Sequence, residues 1–332
     1  MGRLMVDERC VLGIDGGGSG TRCVIADLSG NLLARGRGGP ANPLTAGADP
    51  AAENIQDAVR EASELCGVCA FEASVMGIAG TERPSGIEAL KTRLTDFEYG
   101  RLRIVSDAVV ALAGATGCRP GVVVISGTGS IAFGLNEEGE TARAGGWGWR
   151  LGDEGSGYDL GHKALIAGLR DFDGRGPPTS LTEKVMTALG LGDLSELVDR
   201  VYNGDMGSRE VAALVHLVRE AAGEGDEVAV GIMEEAGEEL GIAASAVIRR
   251  LGLRGRFPVA LNYGIVNCGG ALRASLERTV RRGSPDCEFI ELRFPPQVGA
   301  ALLALQELGV EVDERLLGRV AASYGALTEG SR

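Results

Sequence analysis

Near its start the sequence carries the stretch Asp15-Gly16-Gly17-Gly18-Ser19-Gly20-Thr21 between two segments of β-forming residues. Residues 10–15 and 21–27 are these segments, so the stretch is predicted to be the turn of a β-hairpin. Consecutive glycines let a backbone approach phosphate oxygens and direct its N–H groups at them. Asp15 lies at the strand end, where it is placed to hold Mg²⁺. The competing explanation is a plain glycine-rich hairpin whose aspartate caps the turn.

A second glycine turn follows later in the chain. Its sequence is Ser126-Gly127-Thr128-Gly129-Ser130, which shares three of five residues with positions 15–19. It also lies between predicted strands, 122–126 and 131–135. Because such a turn stands at the head of each half of the chain, we predict an internal duplication. The predicted fold is α/β, with two lobes whose glycine hairpins hold one triphosphate.

Two other phosphate-binding motifs are excluded by their context. Gly127-x-Gly129-x-x-Ala132 formally matches the dinucleotide-binding fingerprint, but that motif requires a helix directly after the glycines. Residues 131–135 are instead predicted to form a strand. A P-loop is excluded because no Gly-Lys-Ser or Gly-Lys-Thr occurs in the sequence.

The strand–turn–strand pattern of the first half begins again after residues 117–121. We therefore predict the boundary between the lobes there. Residues 1–117 are assigned to the N-terminal lobe, and the C-terminal helix 313–324 is a candidate to complete it. Residues 118–312 are assigned to the C-terminal lobe. That lobe carries a mostly helical insertion over residues 154–253.

One aspartate stands where a general base would be useful. Asp107 follows a predicted strand and opens a helix, where an aspartate is often only an N-cap. With a hydroxyl acceptor in the cleft, its carboxylate can instead take the acceptor's proton during phosphate transfer.

A glycine- and tryptophan-rich string, GGWGWRLGDEGS, occupies residues 145–156. Its glycines allow a ligand to approach the main chain. We expect Asp153 to accept hydrogen bonds from sugar hydroxyls and Trp147 to offer an apolar face to a sugar ring. In the competing explanation, Asp153 or Glu154 caps a helix and both tryptophans are core residues. For Trp149 we expect the core.

Composition narrows the choice of partners. The 332 residues carry a net charge of −13 without a basic run, so a nucleic-acid partner is not expected. The same charge repels ATP at long range, so a nucleotide site must rely on local N–H groups and a metal ion. No stretch approaches about 20 uninterrupted apolar residues, and Asp7 and Glu8 interrupt any signal-peptide core. We therefore expect a cytoplasmic protein without a membrane span.

The motifs, taken in order, resemble those of the BadF/BadG/BcrA/BcrD ATPase family, and within it the N-acetylglucosamine kinases. The resemblance rests on DGGGSGT at 15–21, GGPANP at 38–43, SDA at 106–108, SGTGS at 126–130 and GGWGWRLGDEGS at 145–156. It implies two ribonuclease-H-like lobes of the actin-like ATPase and sugar-kinase fold, with ATP and Mg²⁺ in the cleft. The implied reaction is phosphorylation of an amino-sugar hydroxyl, with N-acetylglucosamine giving its 6-phosphate.

The resemblance also implies roles for individual residues. Asp107 is the implied catalytic base, and Asp15 the Mg²⁺ ligand. The implied sugar contacts are Asn42, Asp107, Gly146, Trp147, Gly148 and Asp153. The implied ATP contacts are Gly16, Gly17, Gly18, Ser19, Thr21, Gly127, Thr128, Gly129, Ser130, Ala222 and Gly264. On the adenine side the pair Gly269–Gly270 is an alternative to Gly264.

Three alternatives share the fold. One is an activator of 2-hydroxyacyl-CoA dehydratases, which needs cysteine thiolates for an iron–sulfur cluster at a dimer face. The seven cysteines form no recognisable cluster pattern, and we expect them to be free thiols. The others are a glucosamine or glucose kinase and a nucleotide-dependent regulator. Homodimers are common among the kinases that the chain resembles, although no stretch marks an interface.

Overall fold

The structure is a computed structural model that describes residues 9–81, 84–204, 206–262, 264 and 270–329. In chain order its strands are β1 Cys10–Gly16, β2 Thr21–Asp27, β3 Leu32–Gly38, β4 Ala73–Ile78, β5 Arg101–Val105, β6 Gly121–Ser126, β7 Ser130–Leu135, β8 Thr141–Gly145, β9 Pro258–Leu261 and β10 Glu288–Glu291. Its helices are α1 Pro43–Ala46, α2 Ala48–Cys66, α3 Pro84–Lys91, α4 Asp107–Thr116, α5 Gly157–Phe172, α6 Leu181–Leu189, α7 Leu197–Tyr202, α8 Ser208–Ala213, α9 Val215–Gly223, α10 Glu227–Leu251, α11 Gly270–Arg281, α12 Pro296–Glu307 and α13 Glu314–Glu329.

The described chain divides into two compact units. The first runs up to Arg119 and resumes at Leu292, and the second runs from Pro120 to Glu291. The sheet of the first unit has the order β3-β2-β1-β4-β5, and that of the second has the order β8-β7-β6-β9-β10. In both sheets an antiparallel three-stranded ribbon is followed by two parallel strands. The shared topology supports the internal duplication inferred from the glycine turns.

Helices cover both faces of the first sheet. Val11 and Leu12 are neighbours in β1, so their side chains point to opposite faces, and both are fully buried. Leu12 belongs to the core beneath α2, whereas Val11 belongs to the core formed with α12 and α13. Burial on both faces is typical of parallel α/β sheets, and it leaves the strand ends as the places for a ligand.

In the second unit one large core joins the sheet to the helices between β8 and β9, and α10 and α11 pack along each other. The edge strand β8, which the sequence pattern did not predict, is short and ends in glycine. No helix within the described residues is long and apolar enough to span a bilayer.

The predicted division of the chain differs from the observed units over residues 292–312. These residues were assigned to the second lobe, but they lie in the first unit because α12 packs against β1 and α4. The backbone of α12 approaches β1 and α4 so closely that the contact positions require glycine. A Cβ on Gly299 would lie 2.1 Å from the Val110 carbonyl oxygen, and one on Gly13 would lie 2.3 Å from the Ala301 nitrogen.

Replacing Gly299 with alanine should therefore destabilise the protein by about 1–3 kcal/mol, because the new methyl group overlaps backbone atoms that cannot move freely. The matched control is Gly318→Ala in α13, where a Cβ meets nothing within 4 Å. That change should stabilise the helix by about 0.5–1 kcal/mol. Urea denaturation followed by circular dichroism measures both, and equal midpoints for the two variants would contradict the proposed packing.

Candidate functional site

Three segments of the first unit meet at the turn between β1 and β2. The turn is closed by a hydrogen bond of 3.0 Å from the Gly17 N–H to the Gly20 carbonyl. The Ala41 N–H donates to the Gly17 carbonyl at 3.0 Å, and the Ala79 N–H donates to the Gly16 carbonyl at 2.9 Å. The segments that follow β3 and β4 thus hold the turn in place through backbone hydrogen bonds.

The glycines of this turn have different surroundings. A Cβ on Gly16 would lie 2.7 Å from Ile78 Cδ1, so Gly16 is needed for packing, whereas a Cβ on Gly17 would meet nothing within 4 Å. Ser19 is exposed. Thr21 is buried and donates its hydroxyl hydrogen to the Gly39 carbonyl at 2.7 Å. Thr21 therefore anchors the turn, and the backbone at Gly17 faces open space.

Two carboxylates lie near the carboxyl ends of the parallel strands. Asp15 of β1 is level with Gly77 of β4, which is level with Val105 of β5. Asp107 begins α4 directly beyond β5. In open α/β sheets ligands bind at this edge. The first unit thus brings together the predicted metal ligand and the predicted base.

The charges of these groups influence one another. Burial and the nearby Asp107 carboxylate raise the pKa of Asp15 to about 7, although the Arg22 guanidinium opposes the shift. Two carboxylates so placed repel each other, and a bound cation relieves that repulsion. The electrostatics at this edge therefore favour a cation.

The surroundings of Asp107 argue against a role limited to capping. The N-cap of α4 is Ser106, whose hydroxyl oxygen accepts a hydrogen bond from the Ala108 N–H at 3.2 Å. Asp107 Oδ1 also accepts from this N–H, at 2.9 Å. Because Ser106 already caps the helix, the carboxylate of Asp107 is not required as the cap.

Asn42 lies at the same edge of the first sheet. It caps α1 by accepting a hydrogen bond from the Leu44 N–H at 2.9 Å. A Cβ on Gly80, in the loop after β4, would lie 2.4 Å from Asn42 Oδ1. Gly80 has a φ of +81°, so only glycine fits this position easily. Sequence analysis missed Gly80, whose one signal was a glycine directly after the β-forming residues 74–79.

The second hairpin is built in a similar way. The Gly127 N–H donates to the Gly129 carbonyl at 2.9 Å, and the first turn of α5 donates to the Gly127 and Thr128 carbonyls. A Cβ on Gly127 would meet nothing within 4 Å. The buried hydroxyl of Ser130 donates to the Glu154 carbonyl at 2.8 Å. Ser130 therefore anchors its turn, as Thr21 does in the first hairpin.

Asp153 joins this turn to the glycine- and tryptophan-rich string. It has a φ of +63° and is only 6% exposed. Its Oδ1 accepts a hydrogen bond from the Gly148 N–H at 3.3 Å, and a Cβ on Gly129 would lie 2.6 Å from its Oδ2. Burial raises the pKa of Asp153, while the N–H groups of Ser130 and Gly148 oppose the shift. The carboxylate thus positions both loops, and its predicted contact with a sugar remains a prediction.

The loop after β8 presents an aromatic ring to solvent. Gly146 and Gly148 have φ values of +70° and +86°, which explains the glycines on either side of Trp147. The Trp147 side chain is 63% exposed, with the Arg143 guanidinium 4.4 Å from its ring centroid. The expectation that Trp149 is a core residue is wrong, because it is 41% exposed and packs on Tyr158.

The predicted adenine-side residues both belong to the second unit. A Cβ on Gly264 would lie 1.9 Å from the Ser126 carbonyl oxygen, so Gly264 packs against the end of β6. Ala222 lies on α9 and packs against the core. Gly269 lies outside the residues that the structure describes, and Gly270 begins α11.

The repulsion between the two carboxylates can be measured in the metal-free protein. Asp107→Asn removes a negative charge and should lower the pKa of Asp15 below its value of about 7. Arg22→Gln removes the opposing positive charge and should raise that pKa. Titration of the Asp15 carboxyl carbon by ¹³C NMR measures both shifts. An unchanged pKa in both variants would contradict the electrostatic coupling.

Two sheets of the same topology, each with a glycine hairpin, define the actin-like ATPase fold. The chain belongs to the BadF/BadG/BcrA/BcrD ATPase family, whose model matches residues 12–304.

Comparison with known proteins finds relatives that act on amino sugars. An N-acetylmuramic acid/N-acetylglucosamine kinase from Clostridium acetobutylicum is 34% identical over 301 residues, which are 90% of this chain and 98% of the relative. An N-acetyl-D-glucosamine kinase from Dictyostelium discoideum is 35% identical over 315 residues, covering 90% and 99% of the two chains. A crystal structure from Chromobacterium violaceum, provisionally called an N-acetylglucosamine kinase, matches with a TM-score of 0.73 at 31% identity, covering 90% and 99%.

Proposed function

We propose that this chain transfers the γ-phosphoryl group of ATP to a hydroxyl of an N-acetylated amino sugar, with the 6-hydroxyl of N-acetylglucosamine as the first candidate. One observation carries the proposal: Asp15, Asn42 and Asp107 lie at the carboxyl edge of one sheet. A metal ligand, a sugar contact and a base are the groups that phosphoryl transfer to a sugar requires. The kinase names of the relatives agree with it.

In this proposal the glycine turns supply the contacts to the phosphates of ATP. The exposed backbone at Gly17 and Gly127 lets phosphate oxygens approach the N–H groups. The other phosphate contacts are Gly16, Gly18, Ser19, Thr128 and Gly129, while Thr21 and Ser130 fix the turns. Gly264 and Ala222 remain the proposed residues on the adenine side.

Asp15 would hold the Mg²⁺ that accompanies ATP. No group of three or more His, Cys, Asp or Glu side chains in the described chain is placed to bind a metal, so the protein would supply one or two carboxylates. That suits Mg²⁺, which takes its remaining ligands from phosphates and water. When bound, the ion neutralises charge on the phosphates and between Asp15 and Asp107.

The chemical step follows from the position of Asp107. Its carboxylate takes the proton of the sugar hydroxyl as that oxygen bonds to the γ-phosphorus, and the bond from this phosphorus to the bridging oxygen of ADP breaks. Asn42, Gly146, Trp147, Gly148 and Asp153 orient the sugar. No covalent enzyme intermediate is needed, since catalysis comes mainly from positioning and charge stabilisation.

An enzyme that consumes ATP works where ATP is supplied, so we also place the protein in the cytoplasm. A homodimer remains a prediction. Neither statement bears on the chemistry proposed for the site.

The glycine turns can be tested with single methyl groups. Gly17→Ala and Gly127→Ala have room for the added Cβ, so both proteins should fold with an unchanged melting temperature. Each should nevertheless bind ATP about tenfold or more weakly, because the methyl group occupies the space where a phosphate oxygen must approach the backbone. Isothermal titration calorimetry gives the affinities.

The control for these variants is Gly231→Ala on α10, where a Cβ also meets nothing within 4 Å. It should leave ATP affinity unchanged. Wild-type affinity in both hairpin variants would exclude these two turns as phosphate sites.

The role of Asp107 predicts a defect in turnover rather than in nucleotide binding. Asp107→Ala should lower kcat by about a hundredfold or more, with ATP affinity retained. A coupled ADP-release assay with N-acetylglucosamine, glucosamine and glucose measures turnover and identifies the acceptor. Wild-type turnover in the variant would remove Asp107 from its role, and ADP release that ignores the sugar would contradict the kinase itself.

A further inference from the structure

A cavity of about 410 Å³ lies in the second unit, between the end of α10 and the end of α11. One wall is formed by residues 245, 248, 249 and 252–255, from the last turns of α10 and the loop that follows it. The other wall is the loop between α11 and β10, residues 283–286. Cavities that hold small ligands commonly measure about 300–1,000 Å³. The phosphoryl transfer proposed above uses none of these residues.

This cavity is separate from the glycine- and tryptophan-rich loop. A Cβ on Gly155, in that loop, would lie 2.6 Å from the Ala236 carbonyl oxygen, so the loop packs against the middle of α10. Arg249, which lines the cavity, belongs to the last turn of the same helix. At the rise of an α-helix, the two positions on α10 are about 20 Å apart. A ligand in the cavity would therefore leave the proposed sugar site open.

Two arginines line the cavity without an acidic partner. Within the part of the chain that the structure describes, no carboxylate forms an ion pair with the guanidinium of Arg249 or of Arg254. Arginines close by in the sequence and on α11 do have acidic partners, in the pairs Arg256–Glu288, Arg278–Glu234 and Arg282–Glu238. Unpaired guanidinium groups at a cavity are suited to a phosphate, whose oxygens match the geometry of their N–H groups.

The same cavity also carries negative charge. Asp286 lines it from the loop after α11, and no cation among the described residues forms an ion pair with this carboxylate. Helices α10 and α11 both end beside the cavity, at Leu251 and Arg281, and the carbonyl end of a helix has a partial negative charge. These groups repel a simple anion and attract an ammonium group.

The remaining lining is partly apolar and partly hydroxylic. The hydroxyl groups come from Ser245 and Ser284, and the apolar side chains are those of Ile248, Leu253 and Pro285. The Ser245 hydroxyl donates its hydrogen to the Gly241 carbonyl at 2.7 Å, so its oxygen can accept a hydrogen bond from a ligand. A lining of this mixed kind suits a small ring that carries hydroxyl groups.

We propose that this cavity is a second ligand site, which binds a zwitterionic phosphate ester. The phosphate is held by Arg249 and Arg254, and an ammonium group on the same molecule is held by Asp286 and the two helix ends. A phosphorylated amino sugar whose amine is not acetylated has both charges on a hydroxylated ring. The inference concerns binding alone and does not depend on the proposed kinase reaction.

The probe is glucosamine 6-phosphate, and the matched ligand is glucose 6-phosphate, which has a hydroxyl group in place of the ammonium group. In calorimetric titrations without ATP, the wild type should bind glucosamine 6-phosphate about fivefold more tightly than glucose 6-phosphate. Arg249→Gln and Arg254→Gln should each weaken the binding of both ligands by about tenfold. Asp286→Asn should remove the preference between the two ligands.

The control variant is Arg256→Gln, which breaks an ion pair of the same loop outside the cavity and should leave both affinities unchanged. The inference is overturned if neither ligand binds the wild type. Unchanged affinity in both cavity arginine variants also overturns it, because the ligand then binds elsewhere. Equal affinity of the wild type for the two ligands does so too, since attraction of an anion alone then explains the binding. None of these results bears on the kinase, which the ADP-release assay tests separately.

Discussion

Repulsion between two carboxylates at one edge of the first sheet is the constraint on which the proposed site depends. Asp15 and Asp107 come from different strand ends, and the parallel pairing of β1, β4 and β5 brings them together. The result is an Asp15 pKa of about 7, raised by burial and by Asp107. Groups with strongly shifted pKa values cluster at functional sites. A bound ligand can offset the electrostatic cost that such groups impose on the ligand-free protein. In the proposed function, a cation bound with a polyphosphate would remove this cost.

Neighbouring residues hold the glycine turns in place through hydrogen bonds, so the turns keep their own backbone exposed for a ligand. Thr21 and Ser130 both donate buried hydroxyl groups to carbonyls of neighbouring loops. Asp153 supports the second turn in a similar way, because its buried carboxylate lies against Gly129 and accepts a hydrogen bond from the Gly148 N–H. A rigid support of this kind pre-organises a binding surface, so less entropy is lost when a ligand binds. The residues around a turn are therefore as much part of the site as the turn itself.

The sequence by itself determined the two glycine hairpins, the duplicated α/β fold and the position of Asp107, because glycine spacing and strand alternation are local properties. Tertiary structure alone decided where distant segments pack. It moved residues 292–312 into the first unit, since an amphipathic helix does not encode which sheet it will cover. It also placed Trp149 at the surface. It gave the adjacent glycines different roles, since Gly16 is needed for packing whereas Gly17 faces open space. A run of glycines looks uniform in sequence, and only the atoms around each one reveal its purpose.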